Sequence, residues 1–513
     1  MTVNSDQLPV IIGVGQVVDN WAGDDLKTAP NPVSLMTAAT QSALADTGQA
    51  EAAAKMIDVV CALRTTDDSL PVQRFPFKAC KNIPRAVSQE TGLTPDRAIY
   101  SAVGGEQPQA LVNEWAKSLY EGESKAVLIT GGEAVSAMKL AKKSGLALDW
   151  PYEADGDMED RGGSADFISL YEMKNGIGMP PRTYALLEKA YRHRLRMTAD
   201  AYRQMASELL NRFSKVAAAN PYAQFPNEKS AAFLATESPD NFKVSDVYLK
   251  WHMAQETVNQ GAALIMTTAG AARDMGIDPS KWVYLHGHAS LKERMVSERQ
   301  DVSQSEALRE VLSQTLNASS LSVNDVDLFE IYSCFPVLVF MACDCLGIEW
   351  RDETLTQTGG LPFFGGPGNN YSTHGIAAMV ERLRERPAAR GLVLANGGFM
   401  SKFAAAVYSV QPPDNWEPVN TQSAQKYINE ASAPQLLETD CDAVILSYVV
   451  SHKRGTPNHA YVMAASGKGR VLAQVKPGDK TMMEALDTAE DLIGRTVRIE
   501  HSKGLNFVSS IIK

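Results

Sequence analysis

The chain has 513 residues, 44% hydrophobic and 21% charged, with a formal net charge of −11 at pH 7. That is the balance of a soluble globular protein with room for roughly two to four domains, and the negative charge argues against a general nucleic-acid binder. The first residues carry no basic segment and no apolar run is long enough to span a bilayer, so neither a signal peptide nor a membrane span is expected. The six cysteines (Cys61, Cys80, Cys334, Cys343, Cys345, Cys441) form no CxxC pair and no zinc spacing. They read as reduced thiols of a cytoplasmic protein, with no metal implied.

In chain order, residues 9–15 read as a buried strand ending in a glycine turn, and Asn31-Pro32 opens a helical pattern through 33–47. A second apolar run spans 56–64. The unit 98–134 contains a strand (98–103), the pair Gly104-Gly105, a helix (109–120), a buried strand (126–130) and the pair Gly131-Gly132. Strands alternating with helices are the signature of an α/β layer fold. Residues 135–245 differ. The Asp149-Trp150-Pro151 turn, an acidic run and two helical patterns (183–198 and 199–218) predict a helical flap on the core. The alternation resumes at 261–268, 282–288, 326–332 and 391–398, with helices between. Pro412-Pro413 begins a polar connector to about 441. Five short strand runs then follow, at 443–450, 459–465, 470–475, 496–501 and 507–512, which predicts a small antiparallel β-barrel.

The stretch 358–376 holds five glycines and two prolines before His374 and leads into an apolar-periodic helix. Such a loop brings backbone close to a neighbour or a ligand and offers N–H groups to an oxygen at the helix start. It also repeats the plan of 98–134: a Gly-Gly turn (Gly365-Gly366), a helix, a buried strand, and a second Gly-Gly (Gly397-Gly398). Repetition of an α/β unit predicts two similar halves whose glycine turns share one pocket, since ligand sites in such folds lie at strand ends.

These features together resemble the thiolase superfamily over roughly residues 7–410. The resemblance implies a fold of two α/β halves with a helical flap: an N-terminal half 1–270 including the flap at about 135–245, a C-terminal half 271–412, and a connector with barrel at 413–513. Ordinary thiolases carry a nucleophilic cysteine at the start of the first unit's helix, an Asn-Glu-Ala-Phe turn, a Gly-His-Pro turn and a late Cys-x-Gly turn. Here those positions read Val103-Gly104-Gly105-Glu106-Gln107, Tyr332-Ser333-Cys334-Phe335, Gly365-Gly366-Pro367 and Ala395-Asn396-Gly397. Every chemical group is changed while the turns remain. One branch resembles the chain more fully: the type 1 thiolase-like relatives of the sterol-carrier-protein thiolases, which carry a C-terminal β-barrel and lack the usual catalytic residues.

The resemblance implies a protein of acyl-CoA metabolism, acetyl-CoA acetyltransferase-like, with coenzyme A present only as part of its substrate or ligand. The candidate catalytic residues are Cys334, His374 and Asn396, the first two as a relocated nucleophile–base pair. The candidate substrate-binding residues are Gly104, Gly105, Glu106, Gln107, Ser333, Gly365, Gly366, Gly397 and Gly398. Arg182, Lys189, Arg192, Arg194 and Arg196 on the flap could form a basic mouth for phosphates. The competing readings are a catalytically silent acyl-CoA binder and, more remotely, a barrel-based adaptor; as a free thiol, Cys334 could equally be packing.

Overall fold

The computed structural model describes residues 5–23, 25–69, 80–148, 150, 153–163, 168–453 and 455–512; Asp149 and Pro151 of the expected turn lie outside them. Ten strands make one sheet: β1 (Pro9–Val18), β2 (Val59–Ala62), β3 (Arg97–Tyr100), β4 (Ala126–Ala134), β5 (Glu159–Asp160), β6 (Asn259–Thr268), β7 (Val283–Lys292), β8 (Leu328–Ile331), β9 (Arg390–Gly397) and β10 (Lys402–Ser409). Their order is β5-β3-β2-β4-β6-β1-β7-β10-β9-β8. Strands β4 and β10 are buried along their whole length, which is why neither alternates apolar with polar residues.

The order is symmetric about the β1/β7 junction. On one side β1 pairs antiparallel with β6, β6 antiparallel with β4, and β4 parallel with β2. On the other side β7 pairs antiparallel with β10, β10 antiparallel with β9, and β9 parallel with β8. The internal repeat is therefore a repeat of strand order and sense. The two sides are joined by only two residue pairs, Val10 with Tyr284 and Ile11 with Val283. The repeated helices, Gln107–Tyr120 and Tyr371–Glu385, pack on each other, and each also touches strands of both sides. Their amides and hydroxyls lock the layers: Tyr408 donates to Gln109 at 2.9 Å, and Asn113 donates to the Ala289 carbonyl at 3.0 Å.

Two elements depart from the sequence reading. Strand β10 falls in a stretch not assigned to any element, and the flap region contributes the two-residue edge strand β5 against β3. The flap is otherwise helical, with its longest helices at Pro180–Arg194 and Ala199–Ala219. Tyr191 and Tyr202 pack on Phe340 of the helix Pro336–Leu346, which itself meets Trp350. Stacked and edge-on aromatic pairs of this kind fix one geometry as well as burying area.

The last strands, β11 (Cys441–Lys453), β12 (Thr456–Ser466), β13 (Gly469–Val475), β14 (Thr496–Ser502) and β15 (Leu505–Ile512), close a barrel in the order β11-β12-β13-β15-β14. Four of its pairings are antiparallel and β13–β15 is parallel. The parallel step is possible because the helix Lys480–Thr488 lies in the crossover from β13. Ile445, Val462, Val471 and Val497 fill the inside. Outside, the barrel docks on the flap and core: Ser447 donates to the Leu186 carbonyl at 2.6 Å, Tyr171 to the Leu437 carbonyl at 3.0 Å, and the Arg470 guanidinium to the carbonyls of Arg299 and Gln300. Among the described residues no helix is long and apolar enough to cross a membrane.

Glu133 is buried at the end of β4 and accepts from the Thr66 N–H at 2.6 Å and the Thr66 hydroxyl at 2.8 Å. Burial pushes its carboxyl up to about 8. Between the ordinary glutamate range and that value the folded chain holds a proton the unfolded chain has released, so stability falls as pH rises through the window, by at most about 1.4 kcal/mol per pH unit. Glu133→Gln keeps the acceptor for Thr66 and removes the titration. Its melting temperature should exceed that of the unaltered protein at about pH 9 and approach it at about pH 5. Melting curves offset equally at both pH values would reject this assignment.

Candidate functional site

The first glycine turn, Gly104-Gly105, precedes the helix Gln107–Tyr120, with Pro108 in its first turn. It meets the second half directly. The Gly104 N–H donates to Asn369 Oδ1 at 3.1 Å, and Ser372 Oγ donates to the Gly105 carbonyl at 2.9 Å. Gly105 has no room for a side chain: a β-carbon there would lie 2.4 Å from the Tyr332 hydroxyl and 2.6 Å from the Asn396 carbonyl oxygen. Gly397, at the end of β9, faces Glu106, and a β-carbon on it would lie 1.7 Å from Glu106 Oε2. Two of the repeated turns, Gly104-Gly105 and Gly397-Gly398, thus converge, and the Glu106 carboxyl lies between them.

Glu106 is buried, and its Oε1 accepts from Gln107 Nε2 at 2.8 Å, while Oε2 has no partner among the described residues. Burial pushes its carboxyl above the ordinary range, and the charges of Lys402 and Lys292 pull it back. Lys402 is itself buried, with its ammonium 3.4 Å from the Val103 carbonyl.

Cys334 lies beyond the end of β8, with its carbonyl accepting from the Ala254 N–H. Its sulfur is 3.8 Å from Asn396 Nδ2, which also donates to the Tyr184 hydroxyl at 2.8 Å. Tyr184 comes from the flap helix, stacks on Phe335 at 4.3 Å, and accepts from the Met400 N–H at 3.3 Å. Burial pushes the Cys334 thiol up to about 12, against the opposing hydrogen bond from Tyr184. The thiol is therefore neutral near pH 7, and a neutral thiol is a poor nucleophile.

His374 is fully buried in the first turn of the helix Tyr371–Glu385, and among the described residues its one side-chain hydrogen bond joins Nδ1 to Gln16 Oε1 at 2.9 Å. Its ring meets Phe364 edge-on at 5.0 Å, and burial lowers its pKa to about 3. The structure thus brings Cys334 and Asn396 together and gives His374 to β1, where it makes no hydrogen bond to the thiol. Ser333 Oγ accepts from the Leu361 N–H at 3.3 Å. Gly365 and Gly366 face Gln260 and the 254–258 segment rather than Glu106, and Gly366 N–H donates to the Gln255 carbonyl at 2.8 Å. Sequence reasoning missed Tyr184 and Tyr332. Tyr184 is one of two tyrosines on its helix, and no spacing marks it. Tyr332 was visible as the first residue of the changed Asn-Glu-Ala-Phe turn.

The flap cations do not form a basic mouth at this site. Lys189 pairs with Asp246 and lies 3.3 Å from the centroid of the Tyr448 ring of the barrel, Arg182 stacks on Tyr461 at 4.7 Å, and Arg194 pairs with Asp344 at 2.8 Å. Lys189 and Arg182 serve the flap–barrel contact instead, and Arg194 ties the flap to the helix Pro336–Leu346. Among the described residues no cluster of three or more His, Cys, Asp or Glu side chains could hold a metal ion.

A sheet duplicated about one junction, with facing glycine turns at its strand ends, defines a thiolase-superfamily protein. No family model and no curated protein matches the sequence. Among solved structures, a monomeric SCP2-thiolase like protein type 1 from Mycobacterium smegmatis is 33% identical, with 99% of this chain and 100% of that one covered and a TM-score of 0.84. The chain belongs to this family of SCP2-thiolase-like proteins of type 1. Its fold, without close sequence likeness, is shared by human mitochondrial 3-ketoacyl-CoA thiolase in complex with CoA (15% identity, 79% and 98% covered, TM-score 0.55) and by an Ltp2-ChsH2(DUF35) aldolase (18% identity, 80% and 99% covered, TM-score 0.56).

Two outcomes follow from the geometry. Gly397→Ala should destabilise the protein by about 1–3 kcal/mol in urea unfolding, the cost of overpacking, and should cost clearly less in a Glu106→Ala background. An equal cost in both backgrounds would remove the Glu106 contact as its cause. Peptide-resolved alkylation of Cys334 by iodoacetamide should be slow at pH 7 and still rising at pH 9. A plateau near neutrality would mean that the thiol is activated.

Proposed function

We propose that this protein binds CoA thioesters at the facing glycine turns and does not use a cysteine nucleophile there. The observation that carries this reading is the Glu106 carboxyl, which lies between Gly104 and Gly397 where the resemblance places the thiolase nucleophile loop. The neutral Cys334 thiol supports it, because among the described residues no base makes a hydrogen bond to it. CoA chemistry is suggested by the thiolase neighbour solved with CoA. Whatever acyl transfer the chain performs must therefore use a non-standard residue set.

A second reading has its own support. A buried carboxyl with one oxygen unpartnered among the described residues, and a pKa raised by that burial, is suited to carrying a proton. Proton transfer next to a thioester carbonyl needs an acid–base group and turn donors, but no thiol. The neighbour described as an aldolase indicates that this fold carries reactions other than thiolysis.

Binding is tested by thermal shift and calorimetry with CoA, acetyl-CoA and long-chain acyl-CoAs. Saturable stabilisation is expected, since a ligand that binds only the folded chain raises its stability; no shift with any of them overturns the reading. If thioester turnover is found, Glu106→Gln should lower kcat by about 100-fold or more with little change in binding, and Cys334→Ala should leave kcat within a few-fold. The reverse pattern would assign the chemistry to the thiol.

A further inference from the structure

A second polar space lies away from the glycine turns, between the two flap helices, the 243–252 segment and the barrel. Its volume is about 170 Å³, room for several waters at ~30 Å³ each. None of the candidate catalytic or glycine-turn residues lines it, though Lys189 and Arg192 of the flap do. Its acidic groups are mostly engaged. Asp246 is held by Lys189 and the Val450 N–H and Glu188 by the Tyr202 and Tyr248 hydroxyls, while Asp487 Oδ1 lies 3.1 Å from His452 Nε2 without a hydrogen bond. Glu490 is exposed at the rim.

The cationic groups are less satisfied. Arg192 is 6% exposed, and its Nε and Nη2 make no hydrogen bond; Nη2 lies 3.4 Å from Asp491, which is outside the lining. Arg203 also lines the space and its buried Nε is unpartnered, while its Nη1 reaches the exposed Asp200 at 3.3 Å. Lys243 completes the set. A guanidinium N–H buried without an acceptor is costly. Two of them on one partly open space call for an anionic acceptor, and guanidinium groups match tetrahedral oxyanions in shape and charge.

We propose that this flap–barrel cavity is a binding site for a free oxyanion of the phosphate or sulfate class, held by Arg192 and Arg203 with Lys243. The anion bridges the helices Pro180–Arg194 and Ala199–Ala219 beneath the barrel and so ties the barrel to the flap. Residues from both helices and from β11 line the space, so occupancy reports on barrel docking rather than on the thioester site.

The test uses the full chain with inorganic phosphate and no acyl-CoA, so it is independent of the thioester reading. Calorimetry and melting curves compare phosphate with chloride at matched ionic strength, because general screening must be separated from binding. Phosphate is expected to give a saturable rise in Tm. Arg203→Gln, at a partly exposed position, should weaken apparent affinity by ~10-fold or more, as loss of a charged hydrogen bond does. Lys243→Gln should weaken it less, and Arg382→Gln, an exposed residue paired with Glu385, should leave it unchanged. Arg192→Gln should abolish binding if the variant folds; if it does not, the Arg203 and Lys243 variants decide. AMP, too large for the space, should leave Tm unchanged. No phosphate-specific shift, a shift unaltered in Arg203→Gln, or a shift with AMP and not with phosphate would each overturn the proposal.

Discussion

The Glu330 carboxylate lies at the end of β8, buried away from water, and accepts from the Gln357 N–H at 2.6 Å, the Thr358 N–H at 3.0 Å, the Tyr371 hydroxyl at 2.7 Å and the Thr356 hydroxyl at 3.1 Å. A buried carboxyl without donors would be strongly destabilising. With these donors it becomes a fixed node, and its pKa is raised by burial while the hydrogen bonds hold it back. The glycine-rich stretch begins at one of its donors and the helix carrying His374 begins at another. Ser333, three residues along from Glu330, caps the Leu361 N–H in the same stretch. The course of the loop, the position of Cys334 and the start of the repeated helix therefore all depend on this one side chain.

Around that node the fold keeps the thiolase-like arrangement of strands and turns. A reactive thiol needs a nearby base or a positive field, and Cys334 has a tyrosine, an amide and apolar walls. The space beside Gly397 admits the end of a glutamate side chain because the glycine has none of its own. The glycine turns are thus part of a packing solution in their own right.

The sequence made much of this legible. The buried strands, the repeated glycine pairs, the helical flap and the barrel all follow from hydrophobic period and turn residues, because those signals are local. Strand β10 did not, since Ala404-Ala405-Ala406 has weak strand preference and the strand is stabilised by covering on both faces. Among the described residues Cys334 and His374 share no hydrogen bond, for a related reason. Both residues flank loops that look convergent in one dimension, but a residue in the first turn of a helix points where the helix face points, and His374 turns toward Gln16 on β1. Tyr184 was hidden because its role depends on how the flap folds back over β9, a long-range fact with no local pattern.

The sheet crosses from one side to the other through two residue pairs, while the repeated helices lie against strands of both sides. Continuity of hydrogen bonding therefore contributes little to holding the halves together, and shared burial contributes most of it. A half expressed alone would present one face of its own helix, and the strands that should receive its partner's helix, to water. The two units resemble each other in strand order, yet each buries part of its surface only against the other. Separately expressed halves should recover structure only on mixing, as mutual templates.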